Sequence, residues 1–246
     1  MEIIQSKDNK KVKEARKLLT KKYRKTSYLI EGFHLLEEAV KAGAEIKQIF
    51  VEEGKLDKIS SVLTGLSVTI VSADVLKSLT DTGSPQGVVA EIAKSEATDF
   101  DVKKVLILED VQDPGNVGTM IRTADAAGFD AVFTTTDTAD IYSPKVMRSM
   151  QGSHFHLPVI DGMPIEEIFA IMKDAQLELL VTTLSEKSVS HKTVNVEKFA
   201  LVMGNEGNGV SEFASSHADQ LVHIDMAGQA ESLNVAVAAG VLMFSL

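Results

Sequence analysis

The chain has 246 residues, 44% of them hydrophobic, and a formal net charge of −10. That length suits one large domain or two smaller ones with a real core, and the acidity argues against a general nucleic-acid binder. No cysteine is present, so disulfides, thiolate-held zinc, cysteine-ligated iron–sulfur clusters and a cysteine nucleophile are excluded. No apolar run is long enough to span a bilayer. The opening MEIIQSKDNKKVKEARK lacks a secretory core, so a soluble intracellular protein is expected.

The amino end differs from the rest. Residues 1–30 hold ten Lys/Arg and three Asp/Glu, a local charge of +7 that leaves −17 on the remaining 216 residues. Such asymmetry fits either an end that meets a polyanion or a solvated basic helix. KVKEARKLLTKKYRK predicts that helix. SYLIE is a short strand, and Phe33, Leu36, Ala39 and Val40 form the stripe of a helix that Gly43 would end. IKQIFVE and SVTIVS are strands, LDKISSVL and ADVLKSLTD helices, and GSPQGVVAEIA ends in a strand. The polar stretch SEATDFD then marks a boundary between domains 1–96 and 103–246.

The second half alternates strand and helix: KVLILE, VGTMIRTADAAG, DAVFTT, SPKVMRSMQGS, HFHLPVI, PIEEIFAIMKDA, LELLVTTL, FALVMG, QLVHIDM and a final apolar helix. This predicts an α/β fold with a parallel sheet covered on both faces. His154 and His156 alternate on the expected strand HFHLPVI and would share a face. The six histidines show no metal-ligand spacing, and no metal site is expected.

Three segments lie where a strand's carboxyl end meets a loop, the ligand-binding position of open α/β sheets. In LEDVQDPGNVGTMIR the dinucleotide fingerprint fails. Asn116 at the turn and Arg122 on the helix remain, the latter either a phosphate ligand or a plain surface arginine. In LVMGNEGNGVS, three glycines in six residues point to positive φ or close approach to a ligand. In AESLNVAVAAG, Ser232 is placed as N-cap of the last helix and Asn234 inside its first turn. The helix beyond carries no charge and is expected to be buried all round.

Together these segments resemble the SpoU family of the SPOUT superfamily, RNA ribose 2′-O-methyltransferases. Its N-x-G-x-x-x-R pattern falls on Asn116, Gly118 and Arg122, its G-N-E-G-x-G on Gly204 to Gly209, and its S-L-N-V on Ser232 to Val235. Asp225 stands where the family often has Pro, and Ala236 where it often has Ser. The resemblance implies a C-terminal parallel-sheet domain with a deep trefoil knot, a rare exception to unknotted topology. It also implies a smaller N-terminal α/β RNA-binding domain and a cytoplasmic homodimer sealed by the apolar helix. S-adenosylmethionine would lie against Thr183, Leu184, Gly204, Asn205, Gly209, Ile224, Met226, Ser232 and Leu233. Arg122 would orient a phosphate and stabilise the developing alkoxide, since a guanidinium stays protonated and cannot accept a proton. Asn116 would position Arg122 or the ribose, Glu206 would hold the loops or Arg122, and Ser232 and Asn234 would complete the pocket. Ribosomal RNA is favoured as substrate over transfer RNA, with a non-catalytic RNA-binding protein as the third reading. His191 is a further candidate.

Overall fold

In the computed structural model, which describes residues 3–59, 66–95 and 102–246, the chain divides into two units. The first is Met1–Glu96 with Tyr142–Phe155, the second Ala97–Ile141 with His156–Leu246. The expected boundary SEATDFD falls almost wholly outside the described residues, as does the second half of LDKISSVL.

The first unit contains α1 (Lys10–Lys17), β1 (Ser27–Glu31), α2 (Phe33–Lys41), β2 (Ile46–Glu52), β3 (Val68–Val71), α3 (Ala73–Lys77) and β4 (Val88–Ala93). Its sheet runs β1-β4-β2-β3, antiparallel except for the β2–β3 pair. The basic helix is shorter than expected. It ends at Lys17, and Lys21–Tyr23 form a separate 3-10 turn. Arg24 is buried and donates from Nη1 to the Leu18 carbonyl at 2.7 Å, which ties that turn to the helix end. The inner face of α1, Val12 and Ala15, belongs to the core of this unit.

Next come β5 (Lys104–Leu108), α4 (Pro114–Ala126), β6 (Ala131–Thr135), α5 (Pro144–Met150), β7 (Val159–Met163), α6 (Ile165–Asp174), β8 (Glu178–Thr182) and β9 (Val189–Ser190). The chain ends with β10 (Phe199–Met203), α7 (Glu212–His217), β11 (Gln220–His223) and α8 (Val235–Ser245). Seven strands form a wholly parallel sheet in the order β7-β6-β5-β10-β8-β11-β9. Every residue of β6 and β10 is buried, the unbroken apolar run expected of a parallel strand covered on both faces. Three adjacent strands, β10, β8 and β11, send their carboxyl ends to one place, and the functional loops follow from them.

Several expectations change. HFHLPVI is not one strand. Gln151 and Gly152 take positive φ and end α5, Ser153–Phe155 form a 3-10 turn, and β7 starts only at Val159. His154 and His156 therefore share no strand face. His154 meets the Tyr28 hydroxyl at 2.9 Å, and His156 meets Asp125 at 2.8 Å. No metal-holding group of three or more His or acidic residues occurs among the described residues. The segment 142–155 groups with the first unit although its sequence continues the second, because α5 packs on β1 and Tyr142 lies over the Tyr28 ring. Helix α7 and strand β9 were not expected. No helix of the described residues is long and apolar enough to cross a membrane.

Phe133 in β6 is among the largest fully buried side chains. Phe133→Ala is expected to lower the unfolding free energy by about 3–5 kcal/mol, read as a lower urea midpoint at unchanged slope. An unchanged midpoint would contradict its place in the core.

Candidate active site

Strand β5 leads into Glu109 and Asp110. Asp110 has φ 55, a left-handed conformation that costs a non-glycine residue energy and needs support. Its amide donates to Thr135 Oγ1 at 2.8 Å, the Thr135 hydroxyl donates back to its carboxylate at 2.6 Å, and Asn205 Nδ2 donates to its carbonyl at 2.8 Å. After this reversal the chain reaches α4. Asp113 caps that helix by accepting from the amides of Gly115 and Asn116, with Pro114 at its first position. The helix thus starts earlier than expected, and Asn116 lies in its first turn.

From β10 the chain enters the loop of residues 204–210. A Cβ at Gly204 would lie 2.3 Å from the Gly209 carbonyl carbon and 2.4 Å from the Val210 nitrogen. Both are backbone atoms that cannot move aside, so only glycine fits. The loop closes on itself through Asn205 N to Gly209 O at 2.9 Å and Gly209 N to Asn205 O at 3.0 Å. Asn205 Oδ1 also accepts from the amides of Gly207 and Asn208.

Glu206 joins this loop to the first motif. Its carboxylate accepts from Gln112 N at 3.0 Å, Asp113 N at 2.9 Å and Asn116 Nδ2 at 3.0 Å. Partial burial alone would raise its pKa. The hydrogen bonds from the Asn116 side chain and from the Gln112 and Asp113 amides outweigh burial and hold it below its ordinary value of 4.5. Glu206 makes no bond to Arg122.

The third motif completes the chain of contacts, with one correction. Asn234, not Ser232, is the N-cap of α8, and Val235 is its first residue. Asn234 Oδ1 accepts from Ala236 N at 2.9 Å and Val237 N at 3.2 Å. Its Nδ2 donates to Asn116 Oδ1 at 3.1 Å. Its carboxamide thus caps the helix through its oxygen and donates to Asn116 through its nitrogen at once.

Around this network lies a cavity of about 470 Å³. Its lining contains all nine residues singled out for a cofactor: Thr183 and Leu184 after β8, Gly204, Asn205 and Gly209 after β10, and Ile224, Met226, Ser232 and Leu233 after β11. Glu206 lines it too, whereas Asn116 and Asn234 stand behind it. Arg122 lies six residues beyond Asn116 on α4, exposed, and bonds neither Asn116 nor any other described residue. His191 is buried in a 3-10 turn and does not line the cavity.

His223 does line it. It had no sequence signal beyond its place at the end of a strand. Its ring meets Ser188 Oγ at 2.9 Å and Asp225 at 3.4 Å. Asp225 also accepts from Ser190 Oγ at 2.6 Å and from Lys192 Nζ at 3.2 Å, and these two hydrogen bonds hold its pKa below the ordinary value. The departure from proline therefore brings a contact between the segment 188–192 and the turn after β11. Ala236 is buried and supplies one of the capped amides. Asp110, Asp113 and Thr135 also went unnoticed, although Asp-Pro before a helical run is an N-cap signal.

Helix α8 buries Ala236, Ala239, Leu242 and Met243 and packs on α4. It is not buried all round. Val237 is 55% exposed, Val241 40% and Phe244 67%, and their spacing of four and three residues puts them on one face of the helix.

Comparison with known proteins accords with this geometry. Residues 103–244 match the SpoU rRNA Methylase family and residues 9–90 the MRM3-like substrate binding domain. The chain belongs to the SpoU rRNA methylase family. Among SpoU relatives, the Bacillus subtilis 23S rRNA (guanosine(2553)-2′-O)-methyltransferase RlmP is 43% identical, with 100% of this chain and 99% of that protein covered. The AdoMet-bound rRNA methyltransferase of Sinorhizobium meliloti superposes with a TM-score of 0.88 at 30% identity, covering 99% of this chain and 96% of that one. The SpoU methyltransferase AviRb of Streptomyces viridochromogenes, in complex with AdoMet, gives 0.85 at 25% identity over 96% of each chain.

The lowered pKa of Glu206 has a stability consequence with a definite sign. A carboxyl depressed in the folded state stabilises above its unfolded pKa, and that gain is lost as pH falls through the folded value. The stability difference between wild type and Glu206→Gln should therefore stay constant from neutral pH down to about pH 5 and shrink below the ordinary value of 4.5. Thermal melts across that range read it. A pH-independent difference would mean that the charge of Glu206 contributes nothing to the network.

Proposed function

We propose that the chain transfers a methyl group from S-adenosylmethionine to a ribose 2′-hydroxyl of large-subunit ribosomal RNA. The carrying observation is that the three motif loops meet through Glu206, Asn116 and Asn234 beside one cavity, while Arg122 stays unpaired. The 43% identity to RlmP over the whole chain favours ribosomal RNA, and a guanosine, as the target.

The cavity fits the cofactor. Its volume is that of a small-molecule site. Its walls mix apolar groups such as Leu184, Met226 and Leu233 with the loop backbone around Gly204. The nine lining residues named above would hold the cofactor, which supplies an electrophilic methyl group on a sulfonium.

The chain's own residues do the rest. The 2′-hydroxyl must lose its proton as it attacks. Glu206 is unsuited to accept it, because both carboxylate oxygens already take N–H donors. It braces the loops instead. Asn116 spends its amide on Glu206 and Asn234, so its role is positional. Arg122 has no partner among the described residues. It would clamp the phosphate next to the target ribose and stabilise the developing alkoxide. Ser232 lines the cavity without a structural role in the helix cap.

Three further features belong to the same reading. A second copy of the chain would cover the apolar stripe of Val237, Val241 and Phe244, since a contiguous exposed patch of this kind marks an interface. The C-terminal segment would form a trefoil knot; β11 enters the sheet between β8 and β9, both of which precede it in the chain. The protein would work in the cytoplasm, where its substrate is made.

Two variants test the assignment. Gly204→Ala, whose methyl would strike the loop backbone, should abolish S-adenosylmethionine binding in calorimetry while circular dichroism stays native. Undiminished binding would remove the 204–210 loop from the cofactor site. Arg122→Ala should keep cofactor affinity but lose about a hundredfold or more in methyl transfer. Transfer is measured with labelled cofactor on unmodified ribosomal RNA, followed by alkaline hydrolysis. Label in alkali-resistant dinucleotides identifies ribose methylation. Label in mononucleotides alone would refute it.

A further inference from the structure

We propose that Tyr23 is a stacking platform for an unstacked RNA nucleotide, with the lysines around it contacting the flanking phosphates. The inference rests on the RNA reading above and adds the form of RNA that the first unit takes.

Three observations carry it. Tyr23 is 44% exposed, whereas Tyr28 in the same unit is 3% exposed. Its ring touches no other aromatic ring among the described residues; its neighbour is the Lys22 ammonium, 4.8 Å from the centroid. Lys21, Lys22 and Lys25 are exposed beside it. An exposed aromatic among lysines is the arrangement that binds single-stranded nucleic acid, where the ring takes a base and the cations take the backbone.

The second point is rigidity. The 3-10 turn that carries Tyr23 is closed by Tyr23 N to Thr20 O at 3.1 Å and Arg24 N to Lys21 O at 3.0 Å. Arg24, buried in this basic stretch, donates to the Leu18 carbonyl. A guanidinium is thus committed to fixing a turn whose tip presents a ring to solvent. A ring held in place loses little freedom on stacking, which favours affinity.

The third point is charge. Of the ten cations in residues 1–30, Lys13 and Lys17 are paired with Asp8 and Glu14. Among the described residues no carboxylate pairs with Lys21, Lys22 or Lys25, which are exposed, so the cations beside the tyrosine stay available to phosphate.

The test uses the full chain and point substitutions, because truncating the amino end would remove Val12 and Ala15 from the core. The probe is an unmodified large-subunit ribosomal RNA transcript, bound over a range of salt. Tyr23→Ala should weaken binding by about ten- to a hundredfold at an unchanged slope of log K against log salt, with S-adenosylmethionine affinity intact. Tyr23→Phe should bind like wild type. The double variant Lys21→Gln/Lys22→Gln should instead flatten the slope by about two. The chain has three tyrosines and no tryptophan, so RNA should quench tyrosine emission in wild type, and Tyr23→Phe should lose that quench while still binding. Wild-type affinity in Tyr23→Ala, or equal losses in Tyr23→Phe and Tyr23→Ala, would overturn the stacking role and leave the enzyme reading untouched. A wild-type protein that binds no RNA would overturn both.

Discussion

The site depends on one carboxylate. Glu206 sits in a loop after β10, and its two oxygens collect two backbone amides and one side-chain amide from the turn into α4. Without an acceptor there, the Gln112 and Asp113 amides would have to find water, and the loop between β5 and α4 would lose its anchor. The same contact reaches further, because the Asn116 carboxamide that donates to Glu206 accepts from Asn234 at its other end. Asn234 in turn caps α8. A helix start, a glycine loop and a second helix start thus fix one another through three side chains, each of which has too little freedom to serve two arrangements.

Backbone geometry makes that contact possible. Asp110 must turn back in a left-handed conformation to present the following amides, and its support comes from β6 through Thr135 and from the glycine loop through Asn205. Gly204 must be glycine because the loop closes against its α-carbon. Buried Glu109 accepts from Ser211 N and ties the two ends of the same region together. The strain at Asp110 and the crowding at Gly204 are offset by neighbours on adjacent strands, so the parallel sheet acts as the reference frame on which three loops are aligned.

Much of this was legible from local pattern. Buried parallel strands read as unbroken apolar runs, and β5, β6 and β10 were visible for that reason. Seven of the nine cavity residues lie in the second and third motifs, while Thr183 and Leu184 follow only from the family resemblance. What stayed hidden depended on long-range geometry. The cap of α8 is Asn234 and not Ser232, and its carboxamide serves both the helix and Asn116, a partner 118 residues away. His154 and His156 read as a strand pair because alternation looks alike in a strand and in a turn; the positive φ of Gln151 and Gly152 decided otherwise. Helix α8 read as buried because its composition is apolar all round. Composition does not say which face packs on α4 and which faces water, and Val237, Val241 and Phe244 lie exposed.

Charge placement follows the same logic. In a chain with a net charge of −10, a free arginine on the helix of the first motif is open to capture by its own carboxylates. The acidic groups of that motif are each engaged elsewhere. Asp110 takes the Thr135 hydroxyl, Asp113 caps α4, and Glu206 takes three N–H donors. Neutral amides and a hydroxyl satisfy these carboxylates, so none needs the guanidinium, and Arg122 keeps its full set of donors for an incoming anion. The first unit solves the problem differently. It turns one arginine inward to hold a turn and leaves the lysines at that turn facing water. Both devices leave positive charge exposed on a protein whose net charge is negative.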